Sequence, residues 1–199
     1  MHNKRQPSLP LCKNMAQSLR THKHLAYENQ IIFITTKTFN DHKLFTNGAF
    51  CLILQDELFF YSDQYNVELL AYVIMPNHLH CLIWPQGKKT FSDYVQGIKS
   101  HSAKIILEHF NRREPSLPPV HAAARAAAYE MKRIKDPGHK RNLRHKIWQP
   151  GMFPYLINRP TTLQRKLEYI MNNPVEAGLV KSPLDYPWLY VNSNIYRIA

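Results

Sequence analysis

His78 and His80 stand one residue apart in the apolar run AYVIMPNHLHCLIW, residues 71–84. On an extended strand alternate side chains share a face, so the two imidazoles lie on one side, about 7 Å apart at the backbone and within reach of one cation. Leu79, Cys81 and Ile83 would point the other way. Neutral imidazole is a common metal ligand, but two ligands rarely suffice and a third must come from elsewhere in the fold. Taken alone, the same spacing fits two histidines packed on a strand. A second pair, His22 and His24, has no framing strand and reads as solvated basic sequence.

A second group with chemical potential is Tyr169. On a helix starting at Thr162, with about 100° per residue, Leu163, Leu167, Ile170 and Met171 form the apolar stripe. Tyr169 falls roughly 145° from its centre, on the polar side with Arg165 and, one turn later, Asn173. A surface tyrosine fits that position as well as a nucleophile does. A phenol, with a pKa near ~10, would need a cation polarising a phosphate before it could attack a phosphodiester.

The elements that must position these groups follow from periodicity and turn signals. Strands are predicted in NQIIFITTKTF (29–39), VELLAYVIM (67–75) and HLHCLIW (78–84), the last two joined as a hairpin by Pro76-Asn77. GAFCLILQDELFFYSDQY (48–65) has a helical stripe, and TFSDYVQGIKSHSAKIILEHF (90–110) opens with Thr90 and Asp93 in capping-box spacing. KIWQPGMFPYLI (146–157) is predicted as a strand whose aromatics, Trp148, Phe153 and Tyr155, are expected in the core rather than stacked on bases. A helix over TTLQRKLEYIMNN (161–173) and a Pro- and aromatic-rich tail (182–196) follow. The order strand, helix, strand, strand, helix, strand, helix predicts an α+β fold: a ferredoxin-like split β-α-β with a central antiparallel sheet and an added C-terminal helix. The histidine strand would be central.

Length and charge bound the function. The 199 residues predict a flexible basic arm over 1–25 and a single domain over 26–199 interrupted by a variable basic insertion, 111–146. Twenty-six Lys and Arg against 14 Asp and Glu give a formal charge of +12, an excess that attracts polyanions. Residues 132–146 concentrate seven of these cations, Lys132, Arg133, Lys135, Lys140, Arg141, Arg144 and Lys146, against one Asp. With Arg165 and Lys166 they are candidates for contact with backbone phosphates; the plainer alternative is a solvated loop. No apolar run approaches the ~20 residues of a membrane span and the N-terminal stretch MHNKRQPSLPLCKNMAQSLRTHKH lacks the apolar core of a signal peptide, so a cytoplasmic protein without membrane contact is expected. Cys12, Cys51 and Cys81 suggest neither a disulfide framework nor a cysteine zinc site. No H-E-x-x-H helix points to a zinc hydrolase and no G-x-x-x-x-G-K-[ST] loop to a nucleotidase.

YVIMPNHLHCLIW, FSDYVQGIKSHSAKII, WQPGMFP and LEYIMNNPVEAGLV, in that order and within residues 28–190, resemble the REP-associated tyrosine transposases, relatives of the single-tyrosine HUH transposases. The resemblance implies a metal-dependent single-strand DNA endonuclease and strand transferase acting on hairpin-forming repeats through a 5′-phosphotyrosine. It matches His78 and His80 to the metal-ligand pair, Tyr169 to the nucleophile and Asn173 to the polar residue completing the metal site. It further implies Mg²⁺ or Mn²⁺ as cofactor, single-stranded or hairpin DNA as partner, and a monomer or homodimer. Pro154 and Tyr155 depart from the acidic or histidine residue some relatives carry there. The alternative is a non-catalytic binder of DNA or RNA hairpins on the same fold.

Overall fold

A computed structural model describes residues 30–111 and 146–198. Strand β1 (Ile31–Lys37) is followed by two single-turn 3-10 segments and helix α1 (Gly48–Tyr65), strands β2 (Val67–Met75) and β3 (His78–Pro85), helix α2 (Phe91–Asn111), strand β4 (Phe153–Ile157), helix α3 (Pro160–Glu176) and strand β5 (Leu189–Val191). The five strands form one sheet in the order β4-β1-β3-β2-β5, every neighbouring pair antiparallel. The first four strands reproduce the ferredoxin-like order, and the histidine strand β3 is the middle one.

Strand alternation divides the core into two layers. Ile32, Ile34, Tyr72, Ile74, Leu79 and Cys81 face Phe50, Leu54 and Leu58 of α1 and Tyr94, Val95 and Ile98 of α2. On the opposite face Phe33, Val73 and Leu82 meet Leu163, Leu167 and Ile170 of α3. A register shift between Leu69 and Ala71 opposite β3 puts Leu70 and Ala71 on the α3 side together. The bulge is what lets the rest of β2 keep alternating on the correct faces.

Local chemistry ends the helices where the sequence indicates. Asn47 caps α1 by accepting from Ala49 N, and Asn66, in a left-handed conformation, closes it. At α2, Thr90 Oγ1 accepts from Asp93 N while the Asp93 carboxylate accepts from Thr90 N and Oγ1, the reciprocal pattern of a capping box. Such caps contribute about 1 kcal/mol each.

Four expectations change. The strand over 146–157 is only β4: Trp148 makes an isolated bridge to Thr38, and the chain turns at Pro150-Gly151, Gly151 having φ +77. Lys99 takes the carbonyls of Gln149 (2.7 Å) and Gly151 (2.6 Å), so those groups do not enter a ladder. Trp148 is buried as expected, but Phe153 and Tyr155 are 54% and 49% exposed: β4 is an edge strand, and what the helix sets over Tyr155 is the polar Lys166 rather than its apolar stripe. The tail holds a strand, β5, pairing with Ala71, Tyr72 and Val73 of β2; three residues are too few to show alternation. Helix α3 also runs past Pro174 to Glu176, with Ala177 N donating to Asn173 O, so Asn173 keeps helical register with Tyr169.

The expected arm 1–25 with His22, His24 and Cys12, and within the insertion Lys132, Arg133, Lys135, Lys140, Arg141 and Arg144, lie outside the described residues. Cys51 and Cys81 are free thiols buried in the core. Among the described residues no helix is long and apolar enough to cross a membrane.

Candidate active site

The site lies on the α3 face of the sheet, where its central strands carry polar residues. Thr35 pairs with His80 and Lys37 with His78 across the β1–β3 ladder, so alternation brings all four side chains to one face. The histidine rings are 4.7 Å apart, centroid to centroid. Helix α3 crosses this face and lays Lys166, Tyr169 and Asn173 along its edge, at i, i+3 and i+7.

Tyr169 Oη lies 3.4 Å from His80 Nε2, and its ring meets the His80 ring edge to face at 5.1 Å and the Phe33 ring at 6.0 Å. Tyr169 is 40% exposed, so its off-stripe position is real. Yet its ring is seated against the sheet: the surface under that side of the helix is histidine rather than hydrocarbon, and an apolar stripe does not register such a contact. Asn173 is buried and hydrogen-bonds to His78. The structure thus brings His78, His80, Tyr169 and Asn173 together.

Both imidazoles are held in their neutral form. His80 is pushed down to about 3, first by burial and then by the neighbouring His78, Lys166 and Lys37. His78 is lowered by burial and Lys37, against the opposing pull of Asp41 and the Asn173 hydrogen bond. Each ring is also tethered through Nδ1: His80 to Thr35 Oγ1 at 2.7 Å, His78 to Asn77 Oδ1 at 2.7 Å. Asn77 is in turn held by Asp41, its Nδ2 donating to Oδ1 at 3.4 Å, and Asp41 pairs with Lys37 at 3.3 Å. Partners on Nδ1 orient the rings and leave Nε2 for a ligand, the arrangement usual around metal-binding histidines.

The donor set fits a divalent cation in kind: two neutral imidazole nitrogens and one carboxamide oxygen, with room for oxygens from a substrate. Among the described residues no group of three His, Cys, Asp or Glu gathers; Asn173 is the carboxamide that stands beside His78.

Of the expected phosphate contacts within the described residues, Lys166 is at the site, its Nζ 4.5 Å from the Phe33 ring centroid, 4.9 Å from that of Tyr155 and 5.6 Å from that of Tyr169. Arg165, beside it, donates to Thr161 O on the outer side of α3. Lys146 lies over Phe39 beyond the end of β1. Thr35, Phe33 and Lys37 were not singled out by sequence. Their alternation in IIFITTK was the available signal, but which face it served depended on the pairing with β3.

Residues 24–122, which include both histidines, match the family model described as "Transposase IS200 like". A REP-associated tyrosine transposase of Escherichia coli (strain K12) is 26% identical over 132 residues, 65% of this chain and 58% of the relative, so the match spans less than two thirds of that protein. A solved structure of a REP-associated tyrosine transposase bound to a REP hairpin shares the fold, with TM-score 0.58 and 19% identity over 88% of this chain and 82% of that one. The chain is thus similar to a REP-associated tyrosine transposase, and residues 24–122 match the IS200-like transposase model.

Proposed function

We propose that the protein is a metal-dependent single-strand DNA endonuclease and strand transferase acting on hairpin-forming repeat DNA, with Tyr169 as nucleophile and His78, His80 and Asn173 holding Mg²⁺ or Mn²⁺. The observation that carries this reading is the 3.4 Å approach of Tyr169 Oη to His80 Nε2, with His78 and Asn173 alongside. A phenol and a neutral histidine pair on one face are the parts a phosphotyrosine mechanism requires. The relatives, one of them bound to a REP hairpin, support DNA as the substrate, as does the charge of +12.

When bound, the cation would polarise the scissile phosphate and offset the charge that develops on it. Tyr169 Oη forms the new bond to phosphorus and the bond from phosphorus to the 3′-oxygen breaks. The phenol proton leaves to solvent, and the 3′-oxygen takes a proton from water, giving a 5′-phosphotyrosine and a free 3′-hydroxyl. One phosphoester replaces another, so rejoining needs no nucleotide hydrolysis. Seating on His80 and Phe33 holds the Tyr169 ring in place before substrate arrives, which lowers the entropic cost of attack. Lys166, Arg165 and Lys146, with Lys132, Arg133, Lys135, Lys140, Arg141 and Arg144 of the basic segment, would hold backbone phosphates.

The test is a covalent adduct. Purified protein incubated with single-stranded hairpin DNA and Mn²⁺ is expected to give a denaturation-resistant protein–DNA species, absent with chelator and absent in Tyr169→Phe. An adduct persisting in Tyr169→Phe would remove Tyr169 from its role. Chelator-resistant hairpin binding with no cleavage under any metal would replace the enzyme by a non-catalytic hairpin-binding protein.

A further inference from the structure

Strand β4 and helix α3 leave a second feature beside the site that cleavage chemistry does not use. Phe153 pairs with Thr35, and Thr35 with His80, so Phe153 stands in the same cross-strand row as His80, two strands away, about 10 Å. Tyr155 pairs with Phe33 in the next row and shares the face, about 6.8 Å along the strand from Phe153. Large aromatic side chains at an edge strand normally turn into the core; these two are half exposed, next to the candidate nucleophile.

Over Tyr155 sits Lys166. Its ammonium rests on the faces of Phe33, Tyr155 and Tyr169, and among the described residues no carboxylate lies within ion-pair distance of it. Partial burial and the adjacent Arg165 already press its pKa down. A cation kept on three ring faces without a carboxylate is an electrostatic site for an anion that comes from outside the described fold. Exposed rings beside a localised ammonium, on the same face as the phosphate chemistry, match the two parts of a nucleotide: a flat base and a charged phosphate.

We propose that Phe153, Tyr155 and Lys166 form a subsite for an unpaired nucleotide next to Tyr169, the base stacking on the β4 rings and its phosphate meeting the Lys166 ammonium. The inference rests on single-stranded DNA being the ligand of this face, but not on cleavage taking place. Its occupant is an unstacked base, because a paired one would hide the ring face that Phe153 and Tyr155 need. The subsite thus favours a single-stranded flank over a duplex stem at this position.

The test compares two fluorescein-labelled probes in chelator, dT12 and a twelve-residue abasic deoxyribose phosphate chain of equal charge. Wild-type protein is expected to bind dT12 more tightly. Phe153→Ala with Tyr155→Ala should shrink the dT12-to-abasic affinity ratio about tenfold, and Phe153→Trp should retain it. Lys166→Met should weaken both probes alike and lower the salt dependence of log affinity by about 0.7. A general folding defect would not change a base-against-abasic ratio. No binding of dT12 by the wild type, an unchanged ratio in the double variant, or an unchanged salt slope in Lys166→Met would each overturn the subsite. Failure of the adduct assay with these ratios intact would overturn the cleavage reading and leave the subsite standing.

Discussion

Thr35 and His80 face each other across the β1–β3 ladder, and the threonine Oγ1 lies 2.7 Å from the Nδ1 of the imidazole whose Nε2 meets Tyr169. A neutral imidazole whose Nδ1 proton is given to Thr35 has its lone pair at Nε2. Thr35→Val keeps the shape and removes the oxygen. Metal-dependent adduct formation is expected to fall 10–100-fold, as for other lost partners of metal-binding histidines, with Thr35→Ser recovering most of it. Equal rates for Thr35→Val and wild type over a metal titration would show that the tether does not matter.

The same burial gives a pH dependence to the metal-free protein. His80 is held near 3 in the folded state against an ordinary 6.5, so the unfolded chain binds a proton that the folded one refuses. Its contribution is therefore complete above about pH 6.5 and is lost as the pH falls towards 3, on the order of a few kcal/mol. Urea midpoints measured in chelator at pH 7, 5 and 4 should fall more steeply for wild type than for His80→Gln. Parallel slopes would contradict the assignment.

Lys99 links helix α2 to the turn before β4 by two charge-assisted hydrogen bonds, to Gln149 O and Gly151 O. Lys99→Met retains the stem and strands both carbonyls, and should cost about 1.5–3 kcal/mol. Faster amide exchange is expected across residues 149–155. The second outcome matters more, because β4 carries Phe153 and Tyr155 into position beside the site.

Gly87, between β3 and α2, lies against the backbone carbonyl of Tyr65, into which a Cβ would project. Its other near neighbour is Asn66 Cβ, and neither atom is the end of a flexible side chain, so one backbone must move. Gly87→Ala is expected to destabilise by about 1–3 kcal/mol, read as a lower thermal midpoint, although alanine usually stabilises exposed loops. A neutral or stabilising result would mean that the loop between Pro85 and Phe91 yields easily.

How far the sequence could be read depended on whether a signal was local. His78 and His80 were placed on one face by a two-residue repeat, and Thr90 and Asp93 marked the start of α2 by their own spacing. Helix α1 matched its predicted span for the same reason. Thr35 and Phe33 were invisible as site residues because their roles arise from register with β3, forty-five or more positions away. Phe153 and Tyr155 were expected inside because aromatic residues on a strand usually are, and that β4 is an edge strand is settled only by pairing with distant β1. Asn173 precedes Pro174, a residue that usually marks a helix end, and only the structure shows the helix continuing through it to Glu176.

Helix α3 follows β4, at one edge of the sheet, and leads to β5, at the other, so it is fastened on both sides of the strand that carries the histidines. All four groups of the candidate site accordingly meet within one polypeptide. The consequence is genetic as much as structural: a chain lacking His78 and His80 mixed with a chain lacking Tyr169 is expected to give no adduct on hairpin DNA with Mn²⁺, and an adduct in the mixture would show that two copies share the site.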